Sequence, residues 1–153
     1  MSNERVKMIA VNKKASHDYH LGDDYEAGLS LVGTEVKSIR LGKVNLKDSY
    51  AKIKKGEVFL YQLHISECPY AYYGNHDPLR PRKLLLHKFE IKRLIGKTQE
   101  KGYSLIPTRL YFKNGKVKVK VALAKGKIKS DKREAIKERD EKREMARAKK
   151  GRY

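Results

Sequence analysis

Lysine, tyrosine and a few carboxylates carry the chemistry available to this chain. From Lys113 to Lys129 lysine recurs without a single acidic residue. Lys116, Lys118 and Lys120 alternate with Val117, Val119 and Val121, which puts the two sets on opposite faces of a β-strand. Two readings fit that stripe: an edge strand protected from aggregation by lysine, or a surface that tracks phosphates. Lys125, Lys127 and Lys129 extend the charge past the strand, which favours phosphates, and Gly126 can turn the backbone there. Near the N-terminus, Asn12, Lys13, Lys14, Ser16, His17, Tyr19 and His20 are expected to form a loop. Its cationic, hydrogen-bonding and flat side chains suit unstacked bases. Tyr19 fits a core position equally well. Glu26 follows closely, and an acid in a basic face can accept from base amino groups or sugar hydroxyls. Asp23 and Asp24 read more simply as a solvated turn.

Other chemistry is thinly supported. His17 and His20 lie three apart and His64 and Cys68 four apart, and neither pair supplies the four ligands of a structural zinc site. No nucleophile has an evident base, so neither a catalytic residue nor a cofactor is expected. A metal-dependent nuclease using His17, His20, Asp23 and Asp24 remains as a competing reading. Between Glu67 and Arg82, Tyr70, Tyr72, Tyr73, His76, Arg80 and Arg82, with Lys83 beyond, interleave aromatics and cations. They could stack on bases or pin a long loop by their own packing.

The formal charge of +19 narrows the partner. Self-repulsion of that size is tolerable when a polyanion neutralises it. A membrane surface is not expected, because no amphipathic stripe supports one. The N-terminus holds no apolar run long enough for a signal peptide. The single cysteine, Cys68, excludes an internal disulfide, and this fits a reducing cytoplasm.

Several elements would have to position these groups. Strands are predicted at Val6–Val11 and Tyr25–Val32. A short helix follows over Glu35–Leu41, with Thr34 as its cap and Val36 and Ile39 facing inward. Tyr50–Ile53 and Val58–Ile65 make a hairpin around Lys54-Lys55-Gly56. Three prolines and Gly74 break the next stretch. Leu84-Leu85-Leu86 reads as a buried strand or a helix lead-in. A helix then runs from His87 to about Lys101, with Phe89, Ile91, Leu94 and Ile95 on one broad face and Glu90 as a capping acid. Leu105–Phe112 and Val117–Ala124 form the clearest hairpin, around Asn114-Gly115. The pattern fits a mainly β, α+β fold: a small antiparallel barrel of the oligonucleotide-binding kind with short flanking helices. A split βαβ sheet competes. The body spans residues 1–124.

Residues 125–153 form a basic tail. Beyond Ile128 at its root, its large aliphatics, Ile136 and Met145, fall on opposite faces of a helix with ~100° per residue. No stripe exists to dock it on a core. Yet Glu138 can pair with Lys142, Asp140 with Arg143, and Glu144 with Arg147. Such a segment is expected to be loose alone and to order as a helix on a polyanion.

Four blocks carry a resemblance: NKKASHDY (Asn12–Tyr19), YEAGLSLVGTEVKSIRLGKVNLKDSYAKI (Tyr25–Ile53), HDPLRPRKLLLHKFEI (His76–Ile91) and LAKGKIKSDKREAIKERD (Leu123–Asp140). In this order they resemble the SsrA-binding protein family (small protein B) over essentially the whole chain. The resemblance implies a barrel related to the oligonucleotide-binding fold. It implies binding to the transfer-RNA-like domain of transfer-messenger RNA, delivery with elongation factor Tu to stalled ribosomes, and rescue by trans-translation. It implies RNA contacts at Tyr19, Glu26, Leu85 and His87, the last replacing an asparagine of some relatives. It also implies a tail that becomes helical in the empty messenger channel near the decoding centre, through Lys127, Lys129, Ser130, Asp131, Lys132 and Arg133. Ser130 departs from the stacking side chain that some relatives carry. A monomer is expected. The alternatives from other classes are a structural ribosomal protein and the nuclease above.

Overall fold

Asn12 ends one element and starts the next. In the computed structural model, which describes residues 5–69, 71, 74–99, 102–127, 139 and 143, strand β1 is Val6–Val11. The Asn12 side chain then accepts from the Ala15 N–H at 3.2 Å and caps helix α1, Lys13–Asp18. Its amide also donates to the Pro107 carbonyl at 2.9 Å. The stretch expected to be a loop is therefore a helix, because one side chain satisfies an orphan N–H and ties the turn to the body. Strand β2, Tyr19–Leu29, begins at once and is longer than the sequence suggested. Asp23 and Asp24 lie within it, at a bulge between Leu21 and Asp24, rather than in a turn.

Helix α2 is Gly33–Arg40. Its cap is Val32 rather than Thr34, since Glu35 reaches back to the Val32 N–H at 2.9 Å. The Thr34 hydroxyl is instead 2.8 Å from His76 Nδ1. Short strand β3, Val44–Asn45, precedes the hairpin of β4, Tyr50–Lys54, and β5, Glu57–Tyr61. Lys55 and Gly56 have φ of 53° and 75°, the doubly left-handed turn that matches strand twist. The return strand stops earlier than expected, where Gln62 takes a φ of 61°. His64–Ile65, β6, pairs with β3. Strand β7 is Arg82–Leu85 and helix α3 is Lys88–Thr98. On α3, Leu94 is fully buried while Phe89 is 61% exposed, so Phe89 does not belong to the apolar face.

Strands β8, Tyr103–Lys113, and β9, Lys116–Gly126, meet at Asn114 and Gly115, with φ of 51° and 79°. Strand β9 runs two residues past the expected boundary. Among the described residues six strands close on themselves in the order β8-β4-β5-β7-β2-β9, and β9 pairs back with β8. Every pairing is antiparallel, and β1 adds to the outer part of β8. Closure removes the open edges that a flat sheet would present. Val119, Val121 and Leu123 point inward with Ala27, Val58, Leu60, Leu84, Leu105 and Leu110. A smaller apolar cluster lies outside the barrel, where Ala15 of α1 covers Ile106 and Ala124.

The proline-broken segment is fastened by charge. Glu35 is fully buried, and its carboxylate accepts from Arg80 at 2.6 Å and from Arg82 Nε at 2.6 Å. Arg82, also fully buried, donates to the carbonyls of Leu63, Pro78 and Asp77. His76 Nε2 lies 2.9 Å from the Ile65 carbonyl, and Asn75 brackets the Cys68 backbone with two hydrogen bonds. His76, Arg80 and Arg82 are thus structural rather than base-stacking. Tyr70, Tyr72 and Tyr73 lie outside the described residues, as do Ile128 through Glu138 and the remaining tail positions other than Arg139 and Arg143. Arg139 and Arg143 are helical and exposed.

Burial alone would raise the Glu35 carboxyl, but its hydrogen bonds to Arg80, the Val32 N–H and Arg82 outweigh that and leave it below the ordinary range. The stability it contributes is complete above the unfolded carboxyl value and lost as pH falls through the lower folded value. Glu35→Ala strands Arg82 without its counter-charge and should cost about 3–5 kcal/mol. Urea unfolding of the variant and the parent protein, compared at pH 7 and at successively lower pH, checks both the loss and its decline in acid.

Candidate nucleic-acid interface

The barrel wall sets side chains from five strands in one rank. Register places Leu85 opposite Gly28, Gly28 opposite Lys118, Lys118 opposite Tyr111, and Tyr111 opposite Met8. A second rank runs from Glu26 through Lys120 to Arg109. Neighbours along β9 alternate. The inward set of Val119 and Val121 therefore turns Lys118 and Lys120 outward, as the sequence predicts. Leu85 is 53% exposed and His87 is exposed beside it at the cap of α3. The His87 and Phe89 rings stack with centroids 5.5 Å apart. Gly28 leaves a notch between them and the lysines: a Cβ there would come 3.3 Å from Leu85 Cβ and 3.7 Å from Lys118 Nζ.

Glu26 is an acid set within this basic face. The Tyr111 hydroxyl donates to the Glu26 carboxylate, and Lys113 Nζ approaches it at 3.3 Å. Val6, Met8, Arg109 and Lys120 complete a cavity of about 260 Å³ around the pair. The hydrogen bond from Tyr111, aided by Lys113, holds the Glu26 carboxyl below the usual range, while burial and Glu26 push the Tyr111 phenol up. Glu26 is therefore an ionised acceptor with its outer lone pairs available to donors such as base amino groups. Arg109 and Tyr111 were missed in the sequence. The alternation that turns Leu110 and Phe112 into the core would have placed them outside.

The other predicted positions lie toward the opposite end of the same wall. The bulge inserts one extra residue into β2, which flips the alternation and returns Tyr19 to the outer face that Glu26 shares. Tyr19 is half-buried against Ala15, Ile106 and Ala124. Lys13 and Lys14 are exposed on α1, and Lys14 pairs with Asp48 at 3.0 Å. Asn12 directs its side chain to backbone partners, and His17 Nδ1 lies 2.8 Å from Asp18. Lys125 lies over the Tyr103 ring at 5.9 Å. Lys127 donates to the Asp18 carbonyl at 2.9 Å from its backbone and to the Ser16 carbonyl at 3.1 Å from its side chain, so the chain leaves the body at the end of α1. Lys129, Ser130, Asp131, Lys132 and Arg133 lie outside the described residues. Among the described residues no three His, Cys, Asp or Glu side chains gather as metal ligands, so the His17, His20, Asp23 and Asp24 constellation does not assemble.

A family model described as SmpB protein matches residues 9–151. The chain belongs to the SmpB family. An SsrA-binding protein of Syntrophobacter fumaroxidans is 60% identical over 149 residues, covering 97% of this chain and 92% of that one. The SsrA-binding protein of Geobacillus kaustophilus is 61% identical over 142 residues, covering 93% and 92%. A solved chain described under "tmRNA-SmpB: a journey to the center of the bacterial ribosome" is 45% identical, with a TM-score of 0.68, over 85% of this chain and 95% of that one. In this family member the barrel wall brings Glu26, Leu85 and His87, three positions implied by the resemblance, to one region, with Tyr19 on the same outer surface farther along β2.

Tyr111→Phe removes the donor that holds Glu26 acidic. The Glu26 carboxyl should then titrate at higher pH, toward the ordinary carboxylate value, with the fold unchanged. Carboxyl-carbon NMR titration of both proteins reads the shift directly.

Proposed function

We propose that this chain binds the transfer-RNA-like domain of transfer-messenger RNA and brings it, with elongation factor Tu, to stalled ribosomes for trans-translation. The observation that carries the reading is one barrel wall on which Glu26, Leu85 and His87 stand among Lys118, Lys120 and Arg109. Lysines and Arg109 supply attraction to phosphates without regard to sequence. Glu26 repels phosphate and rewards an amino or hydroxyl donor, so it acts on specificity. Leu85 and the His87–Phe89 stack offer flat or apolar surface to an exposed base or sugar. Names of relatives at about 60% identity support the RNA partner. The bacterial ribosome in the description of the solved neighbour supports the second partner.

The body would act as an RNA-binding factor rather than an enzyme, without a cofactor, as a monomer in the cytoplasm. Among the described residues no helix is long and apolar enough to cross a membrane. The tail, unstructured when free and helical on the ribosome, would carry Lys129, Ser130, Asp131, Lys132 and Arg133 into the vacant messenger channel, with Lys127, seated on α1, at its root. Fixing each backbone residue costs about 1–2 kcal/mol. Phosphates lining an empty channel can offset that cost. A channel already filled by messenger RNA excludes the tail sterically and leaves it without those phosphate contacts, so tail folding reports vacancy.

Three outcomes test this reading. Transfer-messenger RNA should copurify at moderate salt in amounts well below those of ribosomes, whereas a structural ribosomal protein would co-sediment with every ribosome. Glu26→Ala should weaken specific RNA binding at least about ten-fold and nonspecific binding little, while Lys118→Ala should lower the slope of log affinity against log salt by about one. Ending the chain after Lys129 should spare RNA binding and abolish tagging of stalled peptides. Tagging by the shortened protein would remove the channel-sensing role.

A further inference from the structure

Gly28 is an unexpected residue on a barrel wall. It lies inside β2, on the outer face, in register with Leu85 on one side and Lys118 on the other. Glycine in a strand interior costs conformational entropy and offers no side chain to pack. Two structural reasons commonly justify it, and neither applies. Its φ is not positive, so the backbone does not demand glycine. No other backbone presses on it either: the three atoms nearest to a Cβ at 28 all belong to the side chains of Leu85 and Lys118. Gly22 differs, because there a Cβ would meet the Leu123 carbonyl oxygen at 3.4 Å.

Strands β7 and β9 flank β2, so Leu85 and Lys118 start two strand spacings, roughly 10 Å, apart. Over Gly28 their side chains lean together. Leu85 Cδ1 lies 3.5 Å and Lys118 Nζ 3.7 Å from the point where a Cβ would stand. Lys118 is half-buried as a result. Glu26 is two residues back on the same face of β2. The Tyr111 hydroxyl and Lys113 hold its carboxyl low, and the charge of Lys118 adds to them.

We infer that Gly28 is a positioning residue for RNA recognition: by carrying no side chain it lets the Leu85 methyl groups and the Lys118 ammonium meet over β2, beside Glu26. The inference rests on the RNA-binding reading above and deepens it. An apolar surface, a cation and an anionic acceptor then stand within reach of one nucleotide, which offers a sugar or base face, a phosphate and hydrogen-bond donors. A side chain at 28 would part Leu85 from Lys118. Each contact would survive alone, but the set would no longer match a single nucleotide.

Gly28→Ala and Gly28→Thr in the full-length protein test this. On an outer strand face either change should leave the urea midpoint unchanged or raise it. The first moves Leu85 by a few tenths of an ångström; the second, being branched, displaces both neighbours. Affinity for the transfer-RNA-like domain of transfer-messenger RNA should fall about three-fold and about ten-fold respectively. In Gly28→Thr the slope of log affinity against log salt should drop by about one, as in Lys118→Ala. Gly28→Thr should also cost clearly less in a Lys118→Ala background, where the cation it displaces is already gone. Carboxyl-carbon NMR should show Glu26 titrating at higher pH in Gly28→Thr. A merely structural glycine predicts a lowered urea midpoint and none of these signatures. Parental affinity in both Gly28 variants, or a loss of equal size with and without Lys118, would overturn the positioning role, provided Glu26→Ala and Lys118→Ala still bind weakly. Parental affinity in Glu26→Ala and Lys118→Ala as well would instead remove the RNA-binding reading itself.

Discussion

A carboxylate without access to water, Glu35, sits between two guanidinium groups, and the working face depends on it. Desolvating one charge in a protein interior costs several kcal/mol unless a partner returns it. Here the partners come from the start of β7 and from the proline-broken segment before it. The same carboxylate caps α2 through Val32. Three pieces of chain that have no strong preference of their own are thereby placed together. Strand β7 is four residues long and could not fix its own register by length. Anchored at Arg82, it delivers Leu85 to the outer wall and His87 to the start of α3.

Charge is managed in two ways in this molecule. Inside, the buried Glu35 and Arg82 are paired with each other. Outside, a large excess of lysine is left for a polyanion. Glu26 is the point where the two regimes meet. The Tyr111 hydroxyl and Lys113 tether it, so its position is set before any ligand arrives. A tethered acceptor discriminates better than a mobile one, because little further conformational entropy is lost on binding.

The barrel also explains why the surface has two ends. Strands β2, β8 and β9 each span eleven residues, long enough to carry separate features at either limit. One end holds Glu26 with the His87 and Phe89 rings nearby. The other holds α1 and the point where the tail departs. A rigid wall between them keeps these features at a fixed spacing, which a single loop could not do.

The hairpin at Asn114 and Gly115, the lysine stripe of β9, the capping role of Glu90 and the absence of an apolar stripe in the tail were all legible in the chain. Each depends on residues close in sequence: turn geometry needs two particular positions, and alternation needs only a strand. The four blocks of resemblance likewise placed the family. Other features depended on distant pairing. The loop expected at Asn12 became a helix because the Pro107 carbonyl, far along the chain, accepts from its side chain. Thr34 gave up its capping place because His76 engages its hydroxyl. Arg80 and Arg82 turned inward because Glu35 waits there, and Tyr19 reached the outer face through a bulge that only register reveals. Local chemistry is written in neighbouring residues; which charges are buried, and which side chains share a wall, is fixed only when the closed barrel brings separate strands within hydrogen-bonding distance.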